Sequence, residues 1–197
     1  FVMTRSPIVA IDGPAGAGKS TVTRAFAERM GLLYLDTGAM YRAVTLWVQE
    51  HGADPASAEA VETLLDGLEV DLSPLRHGVQ TVCINGRDVT EAIRDPRVTG
   101  SVSKVAAHAC VRALLTRQQQ RLGEQGGLVA EGRDIGTAVF PDAELKVFLT
   151  ATPAERARRR AIDLQSQGHS VPELTELENQ IVERDRLDST RAIAPLV

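Results

Sequence analysis

The stretch Gly13-Pro14-Ala15-Gly16-Ala17-Gly18-Lys19-Ser20-Thr21 decides the fold, because it fits the pattern G-x-x-x-x-G-K-[S/T] without a mismatch. It follows an apolar run, Ile8-Val9-Ala10-Ile11, and leads into residues 22–30, where apolar side chains recur at helical spacing. A buried strand, a glycine-rich loop and a helix N-terminus are therefore expected in that order. Such a loop turns successive backbone N–H groups toward phosphate oxygens, and the helix dipole adds positive potential at the same point. Gly13, Pro14, Ala15, Gly16, Ala17, Gly18, Lys19, Ser20 and Thr21 would then enclose the phosphates of ATP. Lys19 would reach the β and γ phosphates, and the Ser20 hydroxyl would hold the Mg²⁺ that bridges them.

Outward from this loop, Leu32-Leu33-Tyr34-Leu35 reads as a second buried strand that stops at Asp36-Thr37-Gly38, which completes a βαβ unit of a parallel sheet. Ligands of such sheets bind beyond the carboxyl ends of the strands. Asp36 is therefore a candidate for a water-mediated Mg²⁺ contact, and equally a candidate N-cap for a helix beginning near Ala39. That helix, over residues 39–50, brings Tyr41 and Arg42 close to the strand end. A short helix is expected over 57–65. After it, residues 68–72 and 79–84 alternate between apolar and polar, and Asn85-Gly86 signals a hairpin. This small antiparallel meander reads either as a lobe that closes over a second substrate or as passive decoration. Helices are expected over 98–107 and 111–123. Two more buried strands, 128–130 and 145–149, end in Glu131-Gly132-Arg133-Asp134-Ile135-Gly136-Thr137 and Thr150-Ala151-Thr152, which makes four parallel strands in all.

Pro153 opens a helix that carries Arg156, Arg158, Arg159 and Arg160. Arginines packed so closely form either a solvated face or a clamp for an anion, and beside a phosphate loop the clamp is favoured. Gln167-Gly168-His169 breaks this helix before another runs from about 171 to 187, so the pair has the form of a mobile lid.

Composition narrows the partners. The chain has 197 residues, 43% of them hydrophobic, and a net charge of 22 − 26 = −4, which gives no general attraction to nucleic acid or membranes. Cys83 and Cys110 lack C-x-x-C spacing and read as core residues of a protein in a reducing cytoplasm, and the four scattered histidines show no metal-ligand spacing. No run is long and apolar enough for a membrane span. The expectation is a cytoplasmic enzyme with no nucleic-acid or membrane partner, acting as a monomer. The chain begins on Phe1 rather than Met, and that end is left out of fold reasoning.

Phosphoryl transfer requires positive charge around the developing oxygens rather than covalent help from the protein. Arg42, Arg133 and Arg191 fall at strand ends and element junctions where an acceptor would lie, and three guanidinium groups suit a dianionic phosphate better than an alcohol. A kinase acting on a sugar-like alcohol, or a nucleotide-dependent switch, are the competing readings. GPAGAGKST, LDTGAMYRA, EGRDIGTAVFPDA and ERDRLDSTRAIAPL together resemble bacterial cytidylate kinases, a branch of the P-loop nucleoside monophosphate kinases, over nearly the whole chain.

The resemblance implies phosphorylation of CMP and dCMP by ATP with Mg²⁺, on an α/β fold in which helices flank a parallel sheet. In that family a serine, an arginine and an aspartate read the cytosine edge, and these match Ser103, Arg112 and Asp134. Tyr41 and Thr37 would lie beside the base. Arg42, Arg133 and Arg191 match the phosphate-binding arginines, and Arg184 with Asp188 match the pair near the sugar hydroxyls. Arg159 and Arg160 match arginines near the transferred phosphoryl group or the ATP purine, so Lys19, Arg133, Arg159 and Arg160 are the expected catalytic set. The resemblance divides the single domain into a core (1–37, 104–152, 184–197), an acceptor-binding insert (38–103) and a lid (153–183). The family also continues past A-P-L into another strand and a closing helix, which this sequence, ending at Val197, does not contain.

Replacing Lys19 by Ala is expected to lower turnover by orders of magnitude while leaving the fold intact. Steady-state rates and circular dichroism on the variant check this, and a near-normal rate would contradict the role given to Lys19.

Overall fold

Alternation along the first strand splits the molecule into two packed layers. In the computed structural model, which describes residues 6–197, β1 (Ser6–Asp12) sends Ile8 and Ala10 into one core and Val9 and Ile11 into another. Three strands join it in parallel: β2 (Leu33–Asp36), β6 (Gly126–Gly132) and β7 (Leu145–Phe148), in the spatial order β2-β6-β1-β7. Strands covered on both faces are expected to read as unbroken apolar runs, as Ile8-Val9-Ala10-Ile11 and Leu128-Val129-Ala130 do. The expected architecture, helices flanking a parallel sheet of four strands, is the one found. β7, expected as a buried strand, is instead an edge strand, as β2 is at the other side of the sheet, and it is open to solvent. It pairs only with β1 among the described residues, and Leu145, Val147 and Phe148 are 46%, 37% and 52% exposed.

One layer is thin. There α1 (Lys19–Met30) lays Ala27 against Val9, Ile11, Tyr34 and Val129. The thicker layer is built on α2 (Thr37–Glu50), which buries Met40, Ala43, Val44 and Val48, a helical stripe in the sense of the i, i+3, i+4 rule. Asp36 caps this helix by accepting a hydrogen bond from the Ala39 N–H at 2.9 Å, so the helix starts two residues earlier than the sequence predicts. α3 (Ala58–Glu62) is shorter than its predicted span.

The meander follows as an antiparallel sheet of β3 (Val70–Leu72), β4 (Val82–Ile84) and β5 (Arg87–Asp88). Its hairpin turns on Asn85 and Gly86, whose φ values of 46° and 80° are those of a type I′ turn. Its middle strand begins at Val82 rather than 79, because Val79 pairs back on Arg76 in a tight turn of its own.

α4 (Pro96–Ala106), capped by the Asp95 carboxylate and opened by proline, and α5 (Ala109–Gly123) then return the chain to β6. A π turn over Ile135–Val139, absent from the sequence reading, follows β6; its first two N–H groups, of Ile135 and Gly136, each donate to the Asp12 carboxylate at 2.8 Å. α6 (Pro153–Ser166) and α7 (Leu174–Thr190) pair through Ala157, Leu164, Leu177 and Ile181. Among the described residues no helix is long and apolar enough to cross a membrane.

Gly123, in the last turn of α5, has the Phe140 ring against it: a Cβ there would sit 2.4 Å from Cε1 and 2.6 Å from Cζ. Gly123→Ala is therefore expected to cost about 1–3 kcal/mol through overpacking. Urea unfolding of the two proteins checks it, with an unchanged midpoint as the contrary result.

Candidate active site

The glycine-rich loop closes over the end of β1. Gly13 has φ 153°, and a Cβ on it would lie 1.9 Å from the Leu149 carbonyl oxygen, so this position accepts no side chain. Gly18 caps α1, whose first turn carries no acidic residue to compete with an anion. Lys19 is buried beneath the loop, its ammonium donating to the carbonyl oxygens of Gly13 and Pro14, each at 2.7 Å. Burial and then the Arg133 guanidinium lower its pKa to about 6, against the pull of Glu131.

Glu131 stands opposite the loop because β6 pairs with β1 in the register Ile11 to Glu131. Ser20 Oγ donates to Glu131 Oε1 at 2.6 Å, while Glu131 Oε2 is buried without a hydrogen-bond partner. A hydroxyl and a carboxylate with one oxygen left without a partner form a hard-oxygen donor pair that suits Mg²⁺ held together with nucleotide phosphates. Burial, with Asp36 nearby, raises the Glu131 pKa to about 7. Asp36 itself is the cap of α2, and its charge is felt at Lys19 and Glu131.

A second cavity opens beyond the end of β6. Of the residues expected to bind the acceptor, Thr37, Tyr41, Ser103, Arg112, Arg133 and Asp134 line it, as do Arg184, Asp188 and Arg191. Arg112 and Asp134 are joined at 2.5 Å with both side chains 4% exposed, and the Arg112 guanidinium lies 5.0 Å over the Tyr41 ring. Ser103 Oγ donates to Asp188 Oδ1 at 2.9 Å, and Arg133 Nε donates to Asp188 Oδ2 at 3.0 Å. Burial works to raise Asp188, but Arg133 and Arg184 outweigh it and hold its carboxyl below the usual range. Thr37 Oγ1 donates to the Glu131 carbonyl at 2.6 Å, which ties the start of α2 to β6.

The arginines do not form one trio. Arg42 stands outside the cavity lining, donating to Thr99 Oγ1 at 2.7 Å, yet it shares an electrostatic cluster with Arg133, Arg160 and Arg184. Burial first, then Arg133 and Arg42, push the Arg184 pKa down to about 9; burial takes Arg42 to about 10. Arg191 belongs to another group, with Arg112, Asp134 and Asp188 around it. Buried N–H donors of Arg112, Arg184 and Arg191 have no acceptor. In a folded protein such donors are costly unless a ligand takes them up.

The arginine run of α6 also divides. Arg158 is exposed and paired with Glu155, Arg159 pairs with the same carboxylate and reaches toward Gly18, and Arg160 turns to the cluster just described. Arg156 is buried and joins neither the solvent face nor the cluster; it is bonded to Asp185 of α7.

The family model for cytidylate kinase matches residues 9–197. The chain belongs to the cytidylate kinase family. It is 83% identical over 197 residues to a bifunctional pantoate ligase/cytidylate kinase of Synechococcus sp. (strain WH7803), covering 100% of this chain and 40% of that protein. A protein of the same name from Prochlorococcus marinus (strain MIT 9313) is 74% identical over 196 residues, covering 100% of this chain and 39% of its own length. The chain thus spans about two fifths of the curated relatives it matches. A shikimate kinase from Acinetobacter baumannii in complex with shikimate aligns over 92% of this chain and 75% of its own, at 16% identity and a TM-score of 0.41, a likeness too slight to carry an argument.

The sequence reading missed Glu131 and Asp12, the two acids at the ends of adjacent strands. The signal was available, since each is the first charged residue after an apolar run that ends beside the phosphate loop. A carboxyl raised by folding stabilises the folded state below its unfolded pKa, near 4.5, and that contribution is lost as pH rises through about 7. In protein free of metal and nucleotide, Glu131→Gln should therefore gain stability relative to the wild type across this window, by on the order of 3 kcal/mol. Denaturation midpoints measured from about pH 4 to about pH 8 check it. Parallel pH profiles for the two proteins would contradict it.

Proposed function

We propose that this chain transfers the γ-phosphoryl group of ATP to CMP and dCMP, giving CDP and dCDP. The observation that carries the proposal is the set of buried guanidinium donors without acceptors, on Arg112, Arg184 and Arg191, in a cavity beside a phosphate loop. Family membership supports the same reading. Guanidinium groups that crowd one another and each keep a donor without an acceptor are relieved by a dianionic monophosphate, which an uncharged alcohol does not supply.

The donor phosphates would lie on backbone N–H groups of the glycine-rich loop, to which Pro14 contributes none, with Lys19 leaving its loop carbonyls for the β and γ oxygens. Ser20 and Glu131, with Asp36 behind a water, would hold Mg²⁺, which when bound neutralises charge on the β and γ phosphates. An oxygen of the acceptor phosphate attacks the γ-phosphorus, the new P–O bond forms as the β–γ bridging P–O bond breaks, and ADP leaves. No general base is required, because the phosphate oxygen is already ionised. Arg133 and the half-buried Arg160, both near Arg184, would share the charge of the transferred group, and Arg159, near Gly18, would act on the donor side. Residues 38–103 act as the acceptor lobe and 153–183 as the lid, whose closure excludes water that would otherwise hydrolyse ATP.

Selection of the base falls to Ser103, Arg112 and Asp134. Asp134 accepts from the cytosine amino group; uracil presents a carbonyl there, and the facing acceptors cost roughly 1–3 kcal/mol. An ADP-release assay over CMP, dCMP, UMP, AMP and GMP is expected to rank CMP and dCMP first, and Asp134→Asn is expected to narrow the CMP-to-UMP preference about tenfold or more. Fastest turnover with AMP or GMP would refute the assignment.

A further inference from the structure

Arg156 and Arg158 are the arginines of the α6 run that the proposed chemistry does not use, and Arg156 is the more completely bonded. Its Nε donates to the Ala151 carbonyl at 3.0 Å, and its Nη1 to the Ala15 carbonyl of the phosphate loop at 3.2 Å and to Asp185 Oδ1 at 2.9 Å. Its Nη2 donates to Asp185 Oδ2 at 2.5 Å, which makes the pair bidentate. The side chain is 3% exposed, and its Cβ lies 3.4 Å from where a Cβ on Gly16 would be. Loop N–H groups face the phosphates, so a grip on the Ala15 carbonyl holds the loop from behind without competing for the nucleotide.

Asp185 connects this grip to the other cavity. It lies on α7 next to Arg184 and less than one turn from Asp188, both of which line the acceptor cavity, and Arg191 follows the end of the same helix. One uninterrupted helix therefore carries, within about one turn, the anchor of the donor loop and two side chains of the acceptor wall, with a third just past its end. A helix moves as a rigid body over such a length, so a shift of the loop carbonyl is transmitted to Arg184 and Asp188. The link is short and specific: Ala15 to Arg156, Arg156 to Asp185, Asp185 to its helical neighbours.

We propose that Arg156 and Asp185 are positioning residues that couple occupancy of the phosphate loop to the set of the acceptor cavity, so that each ligand tightens the other. The proposal rests on the assignment of the second cavity to a nucleoside monophosphate. Without the bidentate pair the loop and the wall would still exist, each relaxing on its own.

The test is the affinity for CMP measured by calorimetry with and without a non-hydrolysable ATP analogue and Mg²⁺, in the wild type and in Asp185→Asn. The wild type is expected to bind CMP about fivefold or more tightly with the analogue present, and Asp185→Asn is expected to bring that ratio to about one. A purely structural role would lower the melting temperature and leave the ratio alone. A variant that keeps the wild-type ratio, or a wild-type ratio of one, overturns the proposal.

Should Asp185→Asn fail to fold, amide hydrogen exchange on the wild type decides it. The analogue alone, without CMP, is expected to slow exchange over residues 184–191, and unchanged exchange there overturns the coupling. If the wild type binds the analogue but not CMP, the acceptor assignment falls, and the exchange measurement still decides for or against the latch by itself.

Discussion

The parallel pairing of β1 with β6, in the register Ile11 to Glu131 and Asp12 to Gly132, is the constraint on which the rest of the site depends. Each strand delivers one half of the chemistry at its carboxyl end. β1 runs directly into the phosphate loop, and β6 runs into Glu131, Gly132, Arg133 and Asp134. A slip of one residue would reverse every side chain on β6, sending Glu131 away from Ser20 and exchanging the two faces of the core. The register is held at its outer end by Asp12, whose two carboxylate oxygens take the N–H groups of Ile135 and Gly136. Gly132 fits between Thr37 and Ile135 only because it has no side chain, since a Cβ would come within 2.6 Å of Thr37 Oγ1. Strand pairing, the start of α2 and the π turn are thus fastened at one point.

Around that point the protein accepts an electrostatic arrangement that folding alone would not favour. Burial first, and then neighbouring guanidinium groups with Arg133 among them, lower the proton affinity of Arg42 and Arg184, and burial lowers that of Arg160. Asp188 offsets part of the charge through Arg133, and Asp134 does so through Arg112. What remains is a positive site with orphaned donors, preorganised for negative charge at a cost in stability. Glu131 is the mirror case on the donor side, a buried carboxyl next to Asp36 with an oxygen left over. One half of the site thus asks for an anion and the other for a cation, the pairing that the proposed reaction requires.

Much of this was legible in the sequence where the signal is local. The phosphate loop is read from spacing, the hairpin from Asn85-Gly86, and the parallel sheet from apolar runs that end in polar turns. The cavity-lining residues were found through strings specific to the family, and all but Arg42 of the expected acceptor residues meet in one cleft. What was not legible depends on partners far along the chain. Glu131 meets Ser20 across 111 residues and Asp12 meets Ile135 across 123, and neither acid carries a motif. The four α6 arginines look alike in sequence because helical periodicity tells which share a face but not which face meets α7. Val79 was assigned to a strand on its alternation, a pattern that a tight turn centred on His77 and Gly78 overrides.

Leu149, which stands at the end of β7, donates its N–H to the Asp12 carbonyl at 2.8 Å and presses its own carbonyl against Gly13. The floor of the phosphate loop is therefore the tip of the strand with the least cover in the sheet. Strands held on one side and wetted on both faces open more readily than their neighbours. Fraying that begins at this rim would reach Gly13 within a few residues, so the tightness of the nucleotide cradle is borrowed from whatever keeps β7 flat against β1.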